Sequence, residues 1–322
     1  MPVILGVIGI AVGRYPISVI SVVKVLLSKL FSDATNGIPE LAQRIILQIR
    51  LPRIIAAILI GASLGGSGAA FQAIFKNPLV DSNILGVTSG AGFGAAVAIL
   101  LGQSNWHVQL FAFIFGLIAV LLSFFGSRLY KTTPILILTL MGVLVGSLFN
   151  SLTSLLKYVA DPLNTLPSIT FWLLGSLANV TWRNIPVLAI VTIAGLMFLL
   201  LFSWRLNIIS LGDEEAKTLG INPITMKTTI IFVSTLMTAA AVSVSGVIGW
   251  VGLLIPHAGR ILVGPDHKWL MPASISLGAV FLLIIDLLAR TLFPGEIPLG
   301  VLTGLVGVPI LIGLLRRNRI GW

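Results

Sequence analysis

The chain has 322 residues, of which 57% are apolar and only 9% charged, and its mean hydropathy is +1.09. That leaves too little polar surface to cover a soluble domain, so the sequence reads as an integral membrane protein. The formal net charge of +10 does not indicate nucleic acid, because the basic residues sit at the ends of apolar runs, where they orient a protein in a bilayer. The absence of cysteine excludes disulfides and thiolate metal sites.

Residues 1 to about 13 are apolar but short for a span, with no basic residue ahead of them. They read either as a first helix clipped at its cytoplasmic end or as a shortened signal-like segment. From about 16 to 30, Ser18, Ser21, Lys24 and Ser28 recur every three or four residues, the pattern of an amphipathic helix lying on the membrane surface. A polar linker then leads to Arg50-Leu-Pro-Arg53.

The next run, about 53 to 75, carries Gly61, Gly65, Gly66 and Gly68, which let neighbouring helices approach closely, and stops at Lys76-Asn-Pro78. Further runs cover about 84 to 102, 107 to 129 and 134 to 158. The stretch 159 to 184, with several prolines and Trp172 and Trp182, suits a loop or a short interfacial helix. A run at about 185 to 203 follows, then an acidic stretch, then runs at about 226 to 250, 250 to 264, 270 to 292 and 298 to 315. The expected architecture is therefore an all-α polytopic membrane protein of about ten transmembrane helices in one domain.

Lys76, Arg128 with Lys131, Arg205 with Lys217 and Lys227, Arg260 with Lys268, and Arg316, Arg317 and Arg319 occupy alternate connections, which places those sides and the C-terminus in the cytoplasm. Arg44, Arg50 and Arg53 break the rule and face outward, where an acidic partner would account for them. Ser67-Gly68, Pro78 and Gly86 recur 178 residues later, and Pro134, Leu138 and Thr139 recur 164 residues later. This matches spans 2–5 to spans 7–10. Five spans separate the copies, so the repeat is inverted, as in many transporters.

The polar residues that carry chemistry are few. Gly65-Gly-Ser67-Gly68 fits the pattern around an intramembrane protease serine, with His257 as a conceivable base, although glycine and serine are ordinary packing residues in membranes. Asp286 lies mid-span, where an ionisable group costs about 2.5–3.5 kcal/mol. Arg290 at i+4 can pair with it, and an ion-coupled transporter built on Asp286 is the competing reading. The three histidines are scattered and offer no metal-ligand spacing.

Ser210 to Gly220 holds Asp213, Glu214 and Glu215 among Leu211, Ala216 and Leu219, bracketed by Gly212 and Gly220. It suits cytoplasmic helices at about 207–224 that dock apolar residues into a partner. No phosphate-loop motif occurs in the chain. Any ATP is hydrolysed by a separate subunit.

Together these residues resemble a known family. Arg50-Leu-Pro-Arg53, Gly61-Ala62, Ser67-Gly68, Gln72, Asn77-Pro78-Leu79, Leu85-Gly86, Gly90-Ala91, Leu211-Gly212, Ala216, Leu219-Gly220, Gly252-Leu253, Pro256-His257, Arg260, Asp266-His267, Asp286, Arg290 and Glu296-Ile-Pro298-Leu-Gly300 are similar to the permease subunits of ABC importers for iron-siderophores, haem and cobalamin. These are the type II, BtuC-like importers.

The resemblance implies a homodimer in a prokaryotic inner membrane. Two ATPase subunits would hold ATP and magnesium, and a periplasmic or lipoprotein binding protein would sit outside. No cofactor is implied on this chain. Arg50, Arg53 and Arg290 match arginines that meet the binding protein's acidic residues, and Leu211 to Gly220 match the ATPase-coupling helices. The fifth and tenth spans would line the pathway, with Thr132 and Thr133 at the cytoplasmic gate through a small insertion. Iron chelates, haem, cobalamin and a metal oxyanion such as molybdate are the expected cargoes.

Overall fold

The computed structural model describes residues 2–13, 15–27, 37–129 and 135–317. The described residues form fifteen α-helices and one π-helical turn, with no strand. The chain begins with α1 (Pro2–Ala11) and α2 (Val19–Leu27). A short α3 (Glu40–Arg44) runs through the π-turn Ile45–Arg50 into α4 (Leu51–Phe75). The amphipathic stretch is thus helical over Val19–Leu27, with Val22 and Val25 buried and Ile20 exposed. Its expected continuation to residue 30 lies outside the described residues, as do Thr132 and Thr133.

α4 is the axis of the molecule. Pro52 comes just after the π-turn within a helix that runs on from Glu40, and its missing N–H interrupts the hydrogen-bond ladder at that looser turn. Lys76 in the left-handed conformation (φ 48°) ends it before Pro78. Its glycines explain its burial. A methyl at Gly61 would collide with the Gly278 carbonyl, one at Gly65 with Ser274, and one at Gly68 with Gly252. Backbone therefore meets backbone where α4 packs on α13 (Val251–Val263) and α14 (His267–Thr291). In lipid, such contact replaces the hydrophobic drive.

The remaining helices are α5 (Val87–Leu100), α6 (Asn105–Arg128), α7 (Ile135–Val159), α8 (Thr165–Leu174), α9 (Ile185–Leu201), α10 (Ser203–Leu211), α11 (Asp213–Thr218), α12 (Pro223–Ser245) and α15 (Leu299–Arg317). Every expected apolar run is helical. Five helices are long and apolar enough to cross a membrane unaided, and α9 with α10 makes a sixth span bent by 60°. α5, α13 and α15 are shorter apolar helices that complete the bundle. The interfacial stretch 159–184 contains α8.

The two halves repeat. α4 packs on α13 and α14, and α12 on α5 and α6; α5 packs on α6 and α7, and α13 on α14 and α15. The offset of 164 is the structural one. It carries the first residue of α5 onto that of α13, and Ile135 of α7 onto Leu299 of α15. It also carries Gly86 (φ 82°) onto Trp250 (φ 72°), both left-handed residues that start a helix. The offset of 178 is not structural: Gly68 is inside α4, whereas Gly246 terminates α12. Small residues recur there for packing alone.

Three helix ends meet within the bundle. The Ser176 N–H donates to the Ser245 carbonyl (2.8 Å), and the Leu299 N–H donates to the Gly175 carbonyl (2.9 Å). Irregular backbone at membrane depth persists only inside protein or beside water, so this junction marks the lining of a cavity.

Candidate functional site

At one end of the bundle, α10 and α11 meet at an extended Gly212. Glu214 accepts from Lys217 (2.8 Å), and Asp213 from Lys227. The Glu214 carboxylate raises the pKa of Lys217. Leu211 is 65% exposed and Leu219 59%, whereas Ala216 is fully buried. Ala216 therefore packs inward as the foot of α11, and only the two leucines are presented outward with the acidic first turn and Gly220. This corrects the expectation that all three dock.

The helix pair is also fastened to the bundle. Lys76 Nζ, at the end of α4, donates to the Leu211 carbonyl (3.0 Å). Asn207 Nδ2 donates to Asp266 (2.6 Å), and the His267 N–H donates back to Asn207 Oδ1 (2.8 Å) at the start of α14. The Lys268 N–H and Asn207 hold the Asp266 carboxyl below its ordinary pKa. These links were not expected from sequence.

At the opposite end, the expectation of arginines presented to a partner meets a different arrangement. Arg50, Arg53 and Arg290 are only 6%, 5% and 7% exposed. Arg50 donates to the carbonyls of Ile10 (2.6 Å), Ala11 (3.1 Å) and Tyr15 (2.6 Å). Arg53 Nε donates to Asp286 (2.7 Å), and its two terminal nitrogens donate to both oxygens of Glu296 (2.8 and 2.9 Å). Arg290 pairs with the other Asp286 oxygen (3.0 Å) and donates to the carbonyls of Gly9 and Val12. The expected Asp286–Arg290 pair forms, but as one edge of a larger cluster that fastens α1 and the segment after α14 to α4. Arg53 and Arg290 thereby avoid burial without a counterion, whereas buried Arg50 is satisfied by backbone carbonyls alone.

The competing readings find no geometry. The Ser67 hydroxyl is fully buried and donates to the Ser63 carbonyl of its own helix (2.6 Å). Asp286 is fully buried between two guanidinium groups, with no route for a coupling ion. Among the described residues, no group of His, Asp and Glu is arranged to hold a metal.

Two cavities adjoin the junction of helix ends. The larger, about 510 Å³, includes Gln103, Asn105, Gln109, Trp172, Ser176 and Asn179 in its wall. The second, about 360 Å³, runs between α5 and α7 and takes in Thr88, Ser89, Asn150, Thr153, Ser154 and Lys157. On α7, Ser147, Asn150, Ser151 and Ser154 are all exposed, at i, i+3, i+4 and i+7 on one face. That spacing is present in the sequence inside a long apolar run.

The chain matches the family model of the FecCD transport family over residues 1–317. It belongs to that family. It is 41% identical over 319 residues to the molybdate import system permease protein MolB of Haemophilus influenzae, covering 99% of this chain and 94% of that one. It is 39% identical over 285 residues to the cobalamin import system permease protein BtuC of Halobacterium salinarum, covering 88% and 76%. A solved inward-facing structure of an ABC transporter assigned to the metal-chelate type aligns with a TM-score of 0.87 at 39% identity, covering 98% of this chain and 96% of that one.

Proposed function

We propose that two copies of this chain form the membrane passage of an ABC importer for a metal chelate or metal oxyanion, with ATP hydrolysed by two partner subunits. The observation that carries this reading is the exposed polar face of α7. Serine and asparagine side chains on one face of an apolar spanning helix belong beside water rather than lipid. A second copy meeting α7 and α15 encloses that face.

The coupling surface is Leu211, Gly212, Asp213, Glu214, Glu215, Leu219 and Gly220, standing on Ala216. ATP binding changes the separation of the ATPase subunits and displaces α10 and α11. The bonds from Lys76 to Leu211 and from Asn207 to Asp266 and His267 carry that displacement to α4 and α14. Those two helices move as one body because their glycine backbones touch. The passage then opens to alternate sides. A binding protein docks on the outer face, and its carboxylates compete there with Glu296, whose side chain is 32% exposed in the Arg53 cluster.

The relatives named for molybdate, iron chelatin and cobalamin transport support this range of cargo. The test is co-purification with the ATPase and ATP-dependent uptake in reconstituted vesicles. Glu214→Lys with Glu215→Lys is expected to abolish both. Unchanged assembly and uptake in that double variant would remove the coupling role.

A further inference from the structure

The recess between α5 and α7 has a chemical bias. Its wall contains Thr88, Ser89, Asn150, Thr153, Ser154 and Lys157, with no carboxylate. Lys157 is partly buried, and its ammonium makes no ion pair among the described residues. The nearest acid along the chain, Asp161, accepts from the Asn164 N–H instead (2.7 Å). A lysine that only anchored α7 at the interface would extend its ammonium into open water. This one heads a polar wall instead, one turn beyond Ser154 and two beyond Asn150.

The Thr88, Thr153 and Ser154 hydroxyls donate to the Asn83 amide oxygen and to the carbonyls of Phe149 and Asn150, so the donors left to face the recess are the Lys157 ammonium, the Asn150 amide and the Ser89 hydroxyl. We propose that this recess is an anion-selective subsite of the passage. The species it admits carries net negative charge, as an oxyanion or an anionic metal chelate, and Lys157 supplies the attraction. The inference rests on α7 lining the passage and deepens it by naming the charge of the cargo.

The chain contains no cysteine, so Ser154→Cys places a single thiol in the recess. In the assembled transporter, its reaction rate is measured with a negatively charged sulfonatoethyl methanethiosulfonate and a positively charged trimethylammonium-ethyl methanethiosulfonate. With Lys157 present, the anionic reagent is favoured. Lys157→Gln lowers the anionic-to-cationic rate ratio about tenfold, as expected of a charge one helical turn away in a partly hydrated site. Lys157→Arg restores the ratio.

A ratio indifferent to Lys157, or a cationic cargo identified for the same complex, overturns the inference and leaves the passage reading intact. A thiol that neither reagent reaches, beside a readily labelled exposed control such as Ser104→Cys, overturns the passage reading itself.

Discussion

Arg53 offers a direct contrast between a role inside the protomer and a role at a partner's surface. Arg53→Ala leaves Asp286, which is fully buried, with Arg290 as its only counterion, and leaves Glu296 without its bidentate partner. Removing one member of a buried ion pair costs about 3–5 kcal/mol. With an unfolding entropy of about 2.1 cal/mol/K per residue, the chain of 322 residues should lose about 4–7 °C in melting temperature. Thermal unfolding of the purified permease in detergent or nanodiscs, without any binding protein, reads this directly. The double variant Arg53→Met with Asp286→Leu removes both charges together and should lie well above the sum of the two single losses. An unchanged melting temperature in Arg53→Ala, with weakened binding-protein capture, would refute the reasoning and return the arginine to a surface role.

The other expectations are briefer. Gly61→Ala drives a methyl into the Gly278 carbonyl and should lower stability by about 1–3 kcal/mol; Gly295→Ala, where the added carbon meets nothing, should stay within about 0.5 kcal/mol. Lys76→Met removes the link to Leu211 and should lower cargo moved per ATP hydrolysed several-fold while the ATPase still assembles. Asp266 has a lowered pKa in the fold, so its stabilisation is complete above the ordinary aspartate value of about 3.9 and fades as pH falls below it. Thermal unfolding between pH 6 and 3 should therefore steepen less in Asp266→Asn than in the wild type, and identical profiles would count against that bond pattern.

Much of the fold was legible because apolar length and glycine placement act locally: each expected span became a helix, and the 164-residue offset marks equivalent helix starts. The acidic stretch was legible for the same reason, since Asp213, Glu214 and Glu215 are adjacent in sequence. The arginine cluster was not. Arg53 finds its counterions 233 and 243 residues downstream, so a local count of basic residues saw only a cation on the wrong side. Glu296 stood in a recognised motif without a role, and only the third dimension supplied one. The polar face of α7 was within reach of periodicity, but it is embedded in a long apolar run, and Ser154 donates to its own helix. Ala216 shows the converse, a residue whose exposure depends on which way a six-residue helix faces.

The dependence of α4 on α14 also shapes how the protein is made. Most residues of α4 are buried in the finished bundle, yet α14 is synthesised long after it. During that interval its glycine ridge faces lipid or the insertion machinery, and Arg53 has no carboxylate to answer it. Chains interrupted before Asp286 thus lack the buried carboxylate that answers Arg53 and the backbone that covers Gly61 and Gly65. Completion of the fold is signalled by one late helix.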